Sequence, residues 1–322
     1  MIQINLDPRP KNRKRQAAYL ATLVFIALLA GTLSHAEAAI IDGNSVKGEY
    51  PGVFAIKMSL PAPVGSGSDE PTEGLCTAFL VQPRLLLTAA HCIHTANSIT
   101  HVTNDASERS SAPSGASQSD SWVQDFRANP GYFSTSQSDA VEVKQRDSRS
   151  DIGYVVLSQD VNGVTPFEVE AVDNEEARTS FAGQIALLVG YGANVWNSSG
   201  IYDGSMAGTK RMGQKRITSA ANGLFYLKGA SHGVLPGDSG GPLLVTIGGK
   251  LKVVAINQEK SDATAVIQKK KFLSKKTRAV VVRTNYDESI ESPLTTENLC
   301  WVVNNSGIAI PGVSCDAATA AK

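Results

Sequence analysis

The chain has 322 residues and a mass of 34.0 kDa, with 30 basic against 30 acidic side chains and 42% apolar residues. That size holds one large domain or two small ones with a sizeable core, and the composition excludes a globally disordered chain. A net charge of zero gives no electrostatic footprint for nucleic acid, and four cysteines are too few for a disulfide-dense miniprotein but enough for two bridges.

Arg9, Lys11, Arg13, Lys14 and Arg15 make a basic head, and residues 17–33 are free of charge and mostly apolar. Ala36 and Ala38 then supply a small-x-small cleavage pattern, so the leader reads as a signal peptide. The competing reading is an uncleaved anchor, but the apolar run sits at the short end of what spans a bilayer. No later run is long and apolar enough to span one. The mature chain is therefore expected to be secreted or periplasmic, with no stable membrane association. In that oxidising setting, disulfides are the default state of its cysteines.

After residue 40, short β-type runs alternate with turn signals. Strands are predicted at 53–58, 77–81, 84–88, 152–157, 185–189, 242–247, 251–256 and 279–283, and no long helical period appears. The pattern is that of an all-β sandwich or barrel. Residues 61–74 and 103–121 are rich in Pro, Gly and Ser and read as surface insertions. Residues 269–278 hold six positive charges and read as a solvated basic loop, with an anionic partner or substrate as the competing reading.

Chemistry concentrates at three places. His91 follows an apolar strand in Thr88-Ala89-Ala90-His91-Cys92 and is a candidate base. His94 completes an H-x-x-H pair with it, but no third ligand has metal-like spacing, so neither metal nor cofactor is expected. Asp151 immediately precedes the strand 152–157, where a carboxylate can turn inward and orient a histidine. Ser239 stands in Gly237-Asp238-Ser239-Gly240-Gly241-Pro242, where backbone N–H groups crowd near its hydroxyl. Nucleophilic serine needs a base, an orienting carboxylate and oxyanion donors. No histidine follows Ser239, which excludes the Ser-acid-His order of the α/β-hydrolases. Ser205, in Gly204-Ser205-Met206-Ala207, resembles part of the subtilisin serine motif but lacks the following proline and helix.

The order His91, Asp151, Ser239 resembles the trypsin- or chymotrypsin-like serine proteases. Five motifs carry the resemblance in the right order: Ile40-Ile41-Asp42-Gly43, the His91 segment, the Asp151 strand, Leu188-Val189-Gly190-Tyr191-Gly192 and the Ser239 segment. The family implies two six-stranded antiparallel β-barrels, about 40–160 and 161–290, with the active site in the cleft between them. It implies a secreted endopeptidase acting on protein or peptide substrates through an acyl-enzyme, with a protein inhibitor as a further partner. In that scheme the N–H groups of Gly237 and Ser239 form the oxyanion hole. Asp238 pairs with a new N-terminus at Ile40 after activation of a zymogen. Ala39 precedes that point, so a tryptic activation cut does not fit and a short prosegment trimmed by another protease is expected.

The resemblance also places Cys76–Cys92 as a family bridge. Cys300 and Cys315 are expected to pair with each other and staple a C-terminal extension over 291–322. The pocket base maps to uncharged Gly233, with apolar Val234 beside it and Gln258 on the far wall. A preference for Arg or Lys therefore loses its main cause, and a small or medium apolar P1 residue is expected. Two rival readings are a catalytically inactive binding module on the same fold, and esterase or other acyl transfer by the same triad.

Overall fold

The computed structural model describes residues 44–46, 48–62, 69–105, 118–119, 122–138, 141–192, 207–228, 234–260, 264–270, 277–283 and 288–315. These all belong to the unit Ala38–Lys322. The leader, Ile40, Ser205, His232, Gly233 and most of 103–121 lie outside the described residues. Among the described residues no helix is long and apolar enough to cross a membrane.

Strands dominate. β1 (Asn44–Ser45), β2 (Val53–Leu60), β3 (Thr72–Gln82) and β4 (Leu85–Thr88) lead into one helical turn, α1 (Ala90–Ile93). Then come β5 (Ser98–Thr103), β6 (Gln118–Ser119), β7 (Val123–Ala128), a hairpin of β8 (Phe133–Ser138) and β9 (Val141–Arg146), and β10 (Gly153–Leu157). The second half runs β11 (Glu168–Val169), α2 (Glu175–Thr179), β12 (Ile185–Gly190), β13 (Arg211–Ala221), β14 (Leu224–Lys228), β15 (Pro242–Ile247) and β16 (Lys250–Lys260). It ends with a hairpin of β17 (Thr264–Lys270) and β18 (Thr277–Arg283), then β19 (Glu288–Pro293) and α3 (Thr296–Ser306).

The first sheet has seven strands in the order β6-β5-β2-β3-β4-β10-β7. In the second, the path β13-β12-β15-β16-β19-β14 closes on itself because β14 also pairs with β13, and β1 and β11 attach to this ring. The expected all-β architecture of two barrel-like sheets is what the chain adopts, with the two-residue β6 as a seventh strand of the first and β1 and β11 added to the six of the second. β4, β10, the start of β2 and the second half of β3 form because most residues in them are apolar and buried, which suits strands covered on both faces.

The sequence pattern misses some elements for a physical reason. β13 does alternate in burial, but its inward residues Arg211, Gly213, Lys215 and Ile217 are mostly not apolar, so the period-2 signal is erased. The predicted insertion 61–74 is shorter than expected, since β3 begins at Thr72. The basic segment 269–278 is not simply a loop either: Lys269 and Lys270 end β17, and Thr277 and Arg278 open β18.

The boundary expected at residue 290 falls inside β19, which pairs with both β14 and β16. The segment after β19 is no loose appendage. Thr295 caps α3 by accepting from Asn298 N–H, and Gly307 ends it in the left-handed region at φ 70°. Leu299 and Val302 are buried in the core that contains the first sheet, and Trp301 packs 5.6 Å from Tyr154. The Cys300–Cys315 bridge ties α3 to the residues beyond it.

Candidate active site

The first sheet brings a histidine and a carboxylate together by register. Gly153 of β10 pairs with Thr88 of β4. This sets Asp151, just before β10, beside His91, just after β4. Asp151 is completely buried, with Oδ2 2.7 Å from His91 Nδ1, and its Oδ1 accepts the His91 backbone N–H at 2.9 Å. One carboxylate thus grips both the turn and the ring. Nδ1–H donates to it, so Nε2 is the nitrogen left to take a proton. The Cys76–Cys92 disulfide ties the same turn to β3.

The second sheet supplies Ser239 on a loop that only glycine permits. Gly237 and Gly240 have φ of 102° and 85°. A side chain on Gly240 would collide with Thr77 O and Thr88 Oγ1, at the root of the His91 turn. The loop is therefore pressed directly onto the histidine-bearing strands. Thr77 N donates to Ser239 O at 2.8 Å, and Thr77 Oγ1 donates to Gly237 O at 2.8 Å. In the loop, Asp238 N, Gly240 N and Gly241 N donate to backbone carbonyls, whereas Gly237 N and Ser239 N have no acceptor among the described residues.

The serine hydroxyl does not rest on His91. Ser239 Oγ donates to Gln258 O at 3.1 Å. Gln258 is 3% exposed and its amide reaches toward Ser148 O at 3.5 Å. Its carbonyl thus sits directly against the serine hydroxyl. The strand continues to Lys260 before the sheet pairing ends, beyond the end at residue 256 that the apolar run suggests. Val234 is likewise 2% exposed and belongs to the interior of the second sheet. Gly233 lies outside the described residues.

Asp238 is fully buried and accepts from Gly192 N–H at 2.7 Å and Leu235 N–H at 3.0 Å. Side chains on Gly190 or Gly192 would collide with its carboxylate, which is why the frame around it needs two glycines. Burial lifts the Asp238 carboxyl to about 7, against the pull of those two N–H groups and of Arg211. Its expected partner Ile40 lies outside the described residues.

The second sheet also encloses charges that no sequence pattern announces. Lys215 is 2% exposed and Glu291 is fully buried. Burial raises the Glu291 carboxyl to about 8, with Lys215 pulling it down. Ser289 Oγ and Gln258 N–H lie beside that carboxylate without a hydrogen bond of good geometry. Metal chemistry finds little footing among the described residues. The one cluster of three candidate ligands is Cys76, His91 and Cys92, and both of its sulfurs are held in a disulfide. His94 turns its ring toward His91 O at 3.2 Å.

The trypsin family matches residues 58–280 of this chain. A solved structure of HL collagenase is similar in fold: it covers 84% of this chain and 99% of its own length, with a TM-score of 0.53 at 16% identity. Comparison with curated protein sequences finds no match.

Proposed function

Because the chain belongs to the trypsin family, we propose that it is a secreted serine endopeptidase in which His91, Asp151 and Ser239 act as one unit. Ser239 Oγ attacks the scissile carbonyl, His91 Nε2 takes its proton and returns it to the leaving amine, and Asp151 holds the ring and stabilises the imidazolium. The N–H groups of Gly237 and Ser239 receive the oxyanion. Losing one such donor typically costs about 2.7–4 kcal/mol of transition-state stabilisation. Water then hydrolyses the acyl-enzyme by the same proton path in reverse. The observation that carries this reading is the two-point grip of buried Asp151 on His91, beside a glycine-framed serine.

The resting contact of Ser239 with Gln258 O fits a precursor. Asp238 then awaits an N-terminal ammonium at Ile40, and the serine swings to His91 when the loop resets. Export is expected from the leader, and protein or peptide substrates and a protein inhibitor are the partners. Gly233 brings no charge to the pocket, so Arg and Lys are not favoured at P1 and a small or medium apolar residue is. Apolar Val234 and Gln258 on the far wall support the same preference.

Intact mass of the secreted protein, with and without a fluorophosphonate, tests the reading. A single adduct that disappears in Ser239→Ala is expected. A chain that begins at Ile40 and takes no adduct would favour the inactive binding module instead. A Lys-P1 peptide cleaved much faster than an Ala- or Leu-P1 peptide would overturn the pocket assignment.

A further inference from the structure

Lys210 is 1% exposed, in a position that an apolar side chain of similar length could fill. Its ammonium donates to Asn104 O at 2.8 Å and Tyr50 O at 3.2 Å, and it lies 5.5 Å from the centre of the Tyr191 ring. Tyr50 is one of two non-glycine residues with positive φ, at 50°, among the described residues, and its strained carbonyl also accepts Val53 N–H at 2.9 Å. Val46 N donates to Lys210 O at 3.2 Å, so both the backbone and the side chain of Lys210 hold the segment 45–51. Arg211, 4% exposed, pairs with Ser45 in the β1–β13 ladder and donates to Gly192 O at 3.2 Å.

The other side of each contact leads to the serine loop. Tyr191 N donates to Thr77 Oγ1 at 3.0 Å, and that hydroxyl donates to Gly237 O at 2.8 Å. Gly192 N donates to Asp238 Oδ1 at 2.7 Å. A buried charge is costly unless something uses it. We propose that Lys210 and Arg211 are positioning residues that clasp the N-terminal segment 45–51 to the Tyr191-Gly192 turn and so set the loop bearing Gly237, Asp238 and Ser239. This rests on the reading of Ser239 as the nucleophile, and it makes the chain just after the leader part of what shapes the site.

The groups facing Lys210 are the Asp105 carboxylate after β5, the Tyr50 and Tyr191 phenols, both held above their ordinary range by burial, and the neighbouring Arg211 guanidinium. Burial brings the Lys210 ammonium down to about 8. An N-terminal ammonium at Ile40 would titrate at about 8 as well, so the part of an alkaline step that belongs to Lys210 is the part lost when Lys210 is replaced. A step owed to Asp238 or Glu291 persists when Lys210 is replaced.

The test uses the full secreted chain and Lys210→Met, which keeps the aliphatic stem and removes the charge, with Arg211→Met beside it. Two things are measured across neutral and alkaline pH: the rate of fluorophosphonate labelling at Ser239, and deuterium uptake in peptides covering 188–192 and 234–241. Each variant is expected to label roughly tenfold more slowly and to take up deuterium faster in both peptides. The alkaline fall in wild-type labelling is expected to shrink in Lys210→Met, leaving only the part that an Ile40 ammonium causes. Unchanged labelling, with faster uptake confined to 45–51, would overturn the clasp. If a wild-type chain that begins at Ile40 takes no label, the nucleophile reading fails and the uptake in the two peptides still decides the clasp. If Lys210→Met does not fold, Lys210→Gln, which keeps a donor without the charge, is held to the same outcomes.

Discussion

The buried side chains of β2, β3, β4 and β10 are apolar except for Thr77 and Thr88, and none is charged. In and around the second sheet, Lys210, Arg211, Lys215, Asp238 and Glu291 are all buried. The first sheet thus gains its stability from apolar burial, and the buried carboxylate of Asp151 sits at a strand end with both oxygens used by His91. The second accepts desolvated charges whose costs are only partly offset by partners. The difference assigns tasks. One sheet is a fixed platform for the base, and the other is an electrostatically sensitive frame for the serine.

The largest expected effect lies on the platform. Asp151→Asn keeps the size of the side chain but cannot hold the His91 ring in the tautomer that frees Nε2. Hydrolysis of a peptide substrate should fall about 10⁴-fold, with far-UV circular dichroism and the labelling of other residues unchanged. A loss of less than tenfold would mean that Asp151 braces the turn and does little for the ring.

Stability should separate the two sheets by its pH dependence more than by its size. Phe79→Ala in β3, where the side chain is fully buried, should cost about 3–5 kcal/mol at every pH. Lys215→Met in β13 leaves Glu291 without its buried cation and should cost roughly 3–5 kcal/mol, but only where Glu291 is ionised. Lys215→Met combined with Glu291→Leu makes the second interior resemble the first and should recover most of that loss. Denaturant unfolding at acid and alkaline pH measures all three. A pH-independent Lys215→Met would remove the contrast between the sheets.

The wild-type stability profile depends on the same groups. The Glu291 carboxyl is raised from 4.5 to about 8, so the folded state holds a proton there that the unfolded chain has released. Stability is therefore full below 4.5 and is lost as pH rises through 8. Asp238, raised from 3.8 to about 7, acts with the same sign. Lys210, lowered from 10.5 to about 8, acts oppositely and restores stability above 8. Thermal unfolding should show a minimum near pH 8 that flattens in Glu291→Gln. In a chain activated at Ile40, the Asp238 part of the slope should be missing, because an ammonium partner would hold that carboxyl ionised.

Much of this is legible in the sequence where local chemistry and side-chain pattern agree. The strands at 84–88 and 152–157 are apolar runs bordering His91 and Asp151, and the glycines around Ser239 announce a tight loop. Both bridges appear between the cysteines expected to form them. Legibility ends where a long-range partner decides the role of a residue. Lys215 and Arg211 read as ordinary surface charges of a polar strand, and only closure of the ring turns them inward. Motif spacing aligns Gln258 with a pocket wall, while the pairing of β16 with β15 and β19 also sets its carbonyl against the serine hydroxyl. β19 and α3 come after an inserted hairpin, so distance along the chain makes them look peripheral.

The smallest predicted effect concerns a polar side chain through which the two sheets meet. Thr77 belongs to β3, yet its hydroxyl donates to Gly237 O and accepts from Tyr191 N–H. Thr77→Val keeps the shape and the strand propensity but leaves that donor and that acceptor unpaired, at about 1–3 kcal/mol for a buried group. If the platform and the frame are independent, this loss should appear only as a lower melting temperature. If Thr77 transmits the set of the loop, fluorophosphonate labelling of Ser239 should slow as well, and Thr77→Ser, which restores the hydroxyl without the methyl group, should recover the labelling rate more fully than the stability. Labelling that tracks stability in both variants would show that the loop is held by its glycines and by Asp238 alone.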